Sequence, residues 1–341
     1  MATISIDRKA FAHGAFGDVH MAVLGSSTPV TVKYVSVDMT EPAAVTQLIR
    51  ELRVLRTLRH PNLLSLCGVV HADSVTIGIV TVRYDMNLSK LVTVDSIARR
   101  KFVFGAIASG LAHLHRYGCI HCDVKPQNVF VSIEREECVL GDFGLVQPDA
   151  ATALSQQEYI VTSWYRPPEL VFDVARRYDT KVDMWSLGCV LAEMILGEPL
   201  FIVTAQTSVL AHQCSAFSLP CGIYSYNSLC HLETQASMHS WLRRKFEGSE
   251  HTGPSEEEWT LLGETLQFDA KKRSSASFMA KDKEPTVELK KGGICWVGRN
   301  CGTALNIELQ SATHFIEHTE ALKEEALTEA GCTTKSKWLW F

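Results

Sequence analysis

The feature that most constrains this chain is a change of hydrophobic period part-way along it. From Ile4 to Val37 short β-branched runs are split by glycines and by the Ser26-Ser27-Thr28-Pro29 turn, and further strand-like runs cover Leu64 to His71 and Ser74 to Arg83. Helical spacing then dominates, over Ile97 to Tyr117 and Lys181 to Leu196. One helix interrupts the strand region: Val45, Leu48, Ile49, Leu52, Leu55 and Leu58 recur near the helical period, behind Pro42 in a first-turn position. Strands first and helices later predict a bilobal α+β fold. Its smaller lobe is an antiparallel β-sheet with one helix over residues 5–83, its larger, mainly helical lobe covers 84–280, and a C-terminal extension covers 281–341, starting at the charged run Lys281 to Lys291. Periodicity is weak from Phe201 to Gly253, and no element is predicted there.

At 341 residues and 46% hydrophobic, the chain is long enough for two cores. Thirty-three basic against thirty-eight acidic residues leave a net charge of −5, which gives no field favouring nucleic acid or an anionic membrane. The most apolar stretch, Met184 to Leu196, is broken by Glu193 and flanked by Asp183 and Glu198, so it reads as a core helix and not a membrane span. The opening residues MATISIDRKAF lack the apolar run of a signal peptide. Eleven irregularly spaced cysteines read as thiols and not as a disulfide framework, so a cytoplasmic and/or nuclear location is expected.

Two clusters carry chemistry. Gly14-Ala15-Phe16-Gly17-Asp18-Val19 puts paired glycines in a strand pattern, where backbone amides can approach phosphate oxygens, and Lys33 follows fourteen residues after Val19. Alone, such a glycine pair is more commonly a plain hairpin turn, and Lys33 a solvated strand lysine. The stronger signal is His121-Cys122-Asp123-Val124-Lys125-Pro126-Gln127-Asn128, trailed by Asp142-Phe143-Gly144. A carboxylate, a lysine and an amide lie within six residues, Pro126 keeps them off one helix face, and a second carboxylate sits beside a glycine. Such loops can hold metal and phosphate.

These motifs resemble the catalytic loop, Asp-Phe-Gly motif and glycine-rich loop of the eukaryotic protein kinases, over about Phe11 to Ala280. The resemblance implies a serine/threonine kinase using ATP and Mg2+ on a protein substrate. By it, Asp123 accepts the proton of the incoming hydroxyl, Lys125 steadies the γ-phosphate, and Asn128 and Asp142 hold magnesium. Ala12, His13, Gly14, Ala15, Phe16, Gly17 and Val19 line the nucleotide with Asp142, and Lys33 grips its α- and β-phosphates. Of two carboxylates able to partner Lys33, Glu51 lies on the inward helix face, whereas Glu41 precedes Pro42 and suits a helix end.

Tyr159-Ile160-Val161-Thr162-Ser163-Trp164-Tyr165-Arg166-Pro167-Pro168-Glu169 is similar to the end of the activation segment in the cyclin-dependent and mitogen-activated branch. The resemblance implies that Thr162 joins Lys125 in a serine/threonine-specific arrangement, that Glu169 bridges to Arg273, that Asp183 anchors the catalytic loop, and that Arg166 goes with proline after the target residue. Ile49-Arg50-Glu51-Leu52 resembles a cyclin-contacting helix, which implies a cyclin-like or other activating protein. Four positions depart from the pattern: Ala12 replaces a loop glycine, Cys122 the catalytic-loop arginine, Gln147 a second arginine, and Gln157 the phosphothreonine. The last three agree with one another, since arginines gain little without a phosphate to pair. Activity is therefore expected not to depend on phosphorylation at 157, with Tyr159 left as either a phosphorylation site or a packed aromatic. Leu55, Leu66, His121 and Phe143 are expected to stack as an apolar column. Cys119 and Cys122 have metal-like spacing but want two more ligands, so buried thiols are expected. The Trp338-Leu339-Trp340-Phe341 tail is expected to cover a hydrophobic surface of this chain or a partner. The rival to an active enzyme is a pseudokinase or ATP-binding scaffold that regulates a partner.

Overall fold

Apolar residues at alternate positions build the first sheet. The structure, a computed structural model, describes residues 4–14, 17–36, 42–71, 76–91, 94, 96–149, 161–172, 178–202, 209–219, 229 and 235–280. Strands β1 (Ile4–Gly14), β2 (Gly17–Leu24), β3 (Thr28–Ser36), β4 (Leu66–His71) and β5 (Thr76–Val82) form an antiparallel sheet in the order β1-β2-β3-β5-β4. Val30 and Val32 of β3 lie opposite Val82 and Val80 of β5, and a small core of Ala22, Leu24, Val30, Val32 and Val80 forms on that face. Thr31 and Lys33 therefore point to the other face, where the Thr31 hydroxyl meets that of Thr81 at 3.0 Å.

Helix α1 (Pro42–Thr57) starts at its proline and buries Val45, Leu48, Ile49, Leu52 and Leu55, the residues its period picked out. Each such burial contributes roughly 1.5–3 kcal/mol against leaving the side chain in water. Leu58 is also buried, one residue past the helix.

The second set of elements is mainly helical. A short sheet in the order β6 (Met86–Asn87), β8 (Val129–Ser132), β9 (Glu137–Leu140) is joined by the pairing of β7 (Cys119–Ile120) with β10 (Gln147–Pro148). The helices are α2 (Ile97–Arg116), α3 (Pro168–Phe172), α4 (Lys181–Leu196), α5 (Val209–Ala216), α6 (Gln235–Glu247), α7 (Glu256–Thr265) and α8 (Ala276–Met279). In α4 every residue but Lys181 and Glu193 is buried, which makes it the core helix of this part. Gly188 lets α7 come close, since a Cβ there would lie 2.5 Å from Thr265 Oγ1. Helix α4 stops at Gly197, whose φ of 76° gives the left-handed cap that glycine adopts without strain.

Three findings go beyond the sequence pattern. Helices α5 and α6 lie in the stretch where weak periodicity predicted no element. Arg100 of α2 is fully buried, its Nε donating to Glu258 Oε1 at 2.6 Å across 158 residues. The described residues within Met1–Thr57 and Ser65–Arg83 cluster as one compact unit, and those within Leu58–Leu64 and Tyr84–Glu288 as a second. The first unit is thus discontinuous in sequence, with Leu58–Leu64 grouping with the second. The extension 281–341, with its aromatic tail, lies outside the described residues, as do Glu41, Gln157 and Tyr159. Among the described residues no helix is long and apolar enough to cross a membrane.

Candidate active site

In the first unit, β3 sets Lys33 opposite Val19 on one neighbour and Ile79 on the other. Lys33 Nζ donates to Glu51 Oε1 at 2.9 Å and Oε2 at 3.1 Å, so strand and α1 are tied by one ion pair. In the β1–β2 hairpin, Ala12 pairs with Val19, His13 with Asp18 and Gly14 with Gly17, while Ala15 and Phe16 lie outside the described residues. Gly17 has a φ of 131°, and a Cβ on it would fall 1.7 Å from Tyr34 O, so no other residue fits that backbone.

In the second unit, the loop that starts at His121 is gathered by one carboxylate, that of Asp183. Asp183, buried in the first turn of α4, accepts from the His121 N–H at 2.8 Å and the Cys122 N–H at 2.9 Å, and its Oδ2 lies 2.8 Å from His115 Nε2. Turning two successive amides onto one carboxylate puts Cys122 at a φ of 64°, and its side chain is fully buried. The His121 ring is fixed from both sides: Nδ1 accepts from the Asp123 N–H at 3.2 Å, so Nε2 carries the proton toward Gly141 O at 3.1 Å. Phe143 meets that ring edge-on at 5.6 Å. Of the expected column, His121 and Phe143 are thus in contact, and Leu55 and Leu66 are each buried in the first unit.

Asp123 is the centre of this cluster. Its Oδ2 lies 2.7 Å from Lys125 Nζ and accepts from Asn128 Nδ2 at 3.0 Å, while its Oδ1 accepts the Thr162 hydroxyl at 2.7 Å. Lys125 Nζ also donates to Thr162 Oγ1 at 2.9 Å, which closes a triangle of carboxylate, ammonium and hydroxyl. Burial pushes the Asp123 carboxyl upward, but the hydrogen bond and charge of Lys125, the Thr162 hydroxyl and His121 outweigh it and hold the group below the ordinary carboxylate range. Asn128 spends its amide N–H groups on the Asp123 carboxylate and, at 2.9 Å, on the Asp123 carbonyl. That leaves its Oδ1 as a hard oxygen donor, which together with the carboxylate of Asp142 is the donor type that Mg2+ takes. Asp142 is half-buried with a φ of 60°.

The segment after residue 160 is tied to the same loop. Val161 is buried with a φ of 63°, a conformation that costs on the order of 1–3 kcal/mol for a β-branched residue. It is held by its N–H on Cys122 O at 3.0 Å and by its carbonyl, which accepts from Arg166 Nη2 at 2.9 Å and Nε at 3.3 Å. Four residues on, Tyr165 donates its hydroxyl to Glu193 Oε2 at 2.7 Å, the half-buried acid in the last turn of α4. Burial raises the Glu193 carboxyl, and the Tyr165 bond opposes that in part. Glu169 meets Arg273 in a bidentate pair, Nη1 to Oε1 and Nη2 to Oε2, both at 2.6 Å.

Val161, Tyr165 and Glu193 were not singled out by their sequence; only the charge of Glu193 inside an apolar run marked it. Cys119 and Cys122 are buried thiols outside any disulfide, and burial pushes Cys119 up to about 11, which leaves it protonated and unreactive at neutral pH. Gln147 pairs with Ile120 on the strand beside the loop.

A five-stranded antiparallel unit with a lysine–glutamate pair, and a mainly helical unit that gathers Asp123, Lys125 and Asn128 on one loop, are those of the protein kinase fold. The family model for the protein kinase domain matches residues 7–283, and the chain belongs to that family, whose activity is phosphoryl transfer to proteins with a nucleotide as donor.

Proposed function

We propose that this chain is a serine/threonine protein kinase that moves the γ-phosphoryl group of ATP to a protein hydroxyl, with a preference for proline after the target. The carrying observation is the Thr162 hydroxyl, within hydrogen-bond reach of both Asp123 Oδ1 at 2.7 Å and Lys125 Nζ at 2.9 Å. A short aliphatic hydroxyl already suits the spacing of this carboxylate and ammonium, which favours serine and threonine over the longer tyrosine.

Asp123, ionised at neutral pH, orients the incoming hydroxyl and accepts its proton. Lys125 neutralises charge on the transferred group, Lys33 holds the α- and β-phosphates, and Glu51 holds Lys33. Magnesium, for which Asn128 and Asp142 are the residues, would supply charge neutralisation on the β- and γ-oxygens. The proline preference is supported by Val161: its carbonyl is already taken by Arg166, so a peptide N–H arriving after the target residue finds no acceptor there. Proline, lacking that N–H, loses nothing. For an activating protein, Ile49 and Leu52 of α1 are buried and not offered, so such a partner would meet the half-buried Arg50 and its neighbours.

The test is phosphate transfer from labelled ATP to Ser-Pro, Thr-Pro, Ser-Ala and Tyr peptides. Wild type is expected to label the proline-following serine and threonine best and tyrosine not at all. Asp123→Asn is expected to bind nucleotide yet lose about 10²–10⁴ in rate. Nucleotide binding by wild type without transfer to any peptide would favour the scaffold instead.

A further inference from the structure

We infer that Gln213, on α5, is a positioning residue that sets the choice of the residue following the target; this rests on the proline reading above. The capture of the Val161 carbonyl requires the Arg166 guanidinium to stay in one place, and the Arg166 side chain is only half-buried. Its backbone is what is fixed. Arg166 precedes Pro167, which confines it to extended geometry, and it adopts φ −76°, ψ 128°. Its carbonyl accepts from Gln213 Nε2 at 2.8 Å.

Gln213 is fully buried, and among the described residues its Oε1 has no hydrogen-bond partner. A buried amide with an orphaned oxygen is a poor choice for stability alone, because methionine or leucine would fill the space without that desolvation cost. What the amide adds, and an apolar side chain would lack, is the Nε2–H donated to the Arg166 carbonyl. The chain of contacts runs from Gln213 to the Arg166 backbone, from the Arg166 guanidinium to Val161, and from the Val161 N–H to Cys122 O beside the catalytic aspartate. Without the Gln213 N–H, the Arg166 carbonyl turns to find another donor, the guanidinium leaves Val161, and the freed Val161 carbonyl accepts the N–H of a non-proline substrate.

The experiment measures kcat/KM on the full chain for a peptide pair that differs only in proline or alanine after the target serine. The ratio of the two values comes from one enzyme sample, so the fraction folded cancels. Wild type is expected to prefer proline, and Gln213→Met is expected to cut that ratio about three- to tenfold, the worth of one hydrogen bond, mainly by raising kcat/KM for the alanine peptide relative to the other. If Gln213→Met does not fold, Gln213→Asn keeps an amide but falls one methylene short of Arg166, and the same fall is expected. A wild-type preference that survives either substitution unchanged overturns the role of Gln213 and leaves the proline reading intact. A wild type with no preference overturns both.

Discussion

The chain holds two ion pairs that differ in almost every physical respect. Lys33–Glu51 in the first unit joins a strand to a helix through a single ammonium, with 23% of the lysine and 10% of the glutamate side chain still exposed. Arg273–Glu169 in the second unit is bidentate and dry, at 0% and 5%. The remaining guanidinium hydrogens of Arg273 go to the carbonyls of Gln267, Lys181 and Phe268, and its plane lies over Trp185 at 5.1 Å. A charge buried that completely cannot be left half-paired, so the second pair is a fixture of the fold. The first costs less to open than the second, because water reaches the lysine and takes over part of the bond. One pair can be adjusted, the other only kept or lost.

The largest effect is expected from breaking the buried pair. Arg273→Met leaves the Glu169 carboxylate stranded, and denaturant unfolding is expected to show a loss of about 3–5 kcal/mol, while transfer per folded molecule is retained. A stability change under about 1 kcal/mol would erase the contrast. The second test inverts the readout: Glu51→Gln is expected to leave the melting temperature nearly unchanged, yet to lower kcat/KM about a hundredfold, because a misplaced lysine misplaces the phosphates. An equal fall in stability and activity would make the two pairs alike after all.

The third test is acidification, which sharpens the comparison at the segment after α1. His60 belongs to the second unit, where burial and the neighbouring charge of His113 push its imidazole down to about 4. The unfolded chain takes up this proton near 6.5 and the folded chain only near 4, so stability declines as pH falls from 6.5 to 4 and levels off below. His60→Gln, which does not titrate, is expected to flatten that part of a melting-temperature profile. Asp123, held below the ordinary range, stays ionised across the same window, so activity of the still-folded enzyme should not follow it.

Much of this was legible because local chemistry and global structure agree. The apolar period of α1 fixed both the helix and which glutamate faces inward, and Pro126 between Lys125 and Asn128 marked a break that the fold keeps to a single 3-10 turn, Pro126–Asn128. What escaped was set by distant partners. Nothing in a valine signals a left-handed backbone; Val161 adopts it because Cys122 and Arg166 take its N–H and carbonyl, and β-branching argues the other way. Arg100 reads as a surface residue of α2 until Glu258 arrives from 158 residues away. Helices α5 and α6 mix polar residues with their apolar ones, so their period is faint although Gln213 and Met238 are fully buried.

The allegiance of Leu58–Leu64 bears on how the protein can be cut. Asn62 donates to Cys138 O, its own carbonyl accepts from Leu140, and Leu64 donates back to Leu140 O, so this short stretch is stitched to a hairpin some seventy-five residues downstream. A fragment ending at Arg83 would carry these residues without their partners, and a fragment starting at Tyr84 would lack them. Neither half can be expressed as a faithful domain; the stitch must be supplied in trans or the chain kept whole.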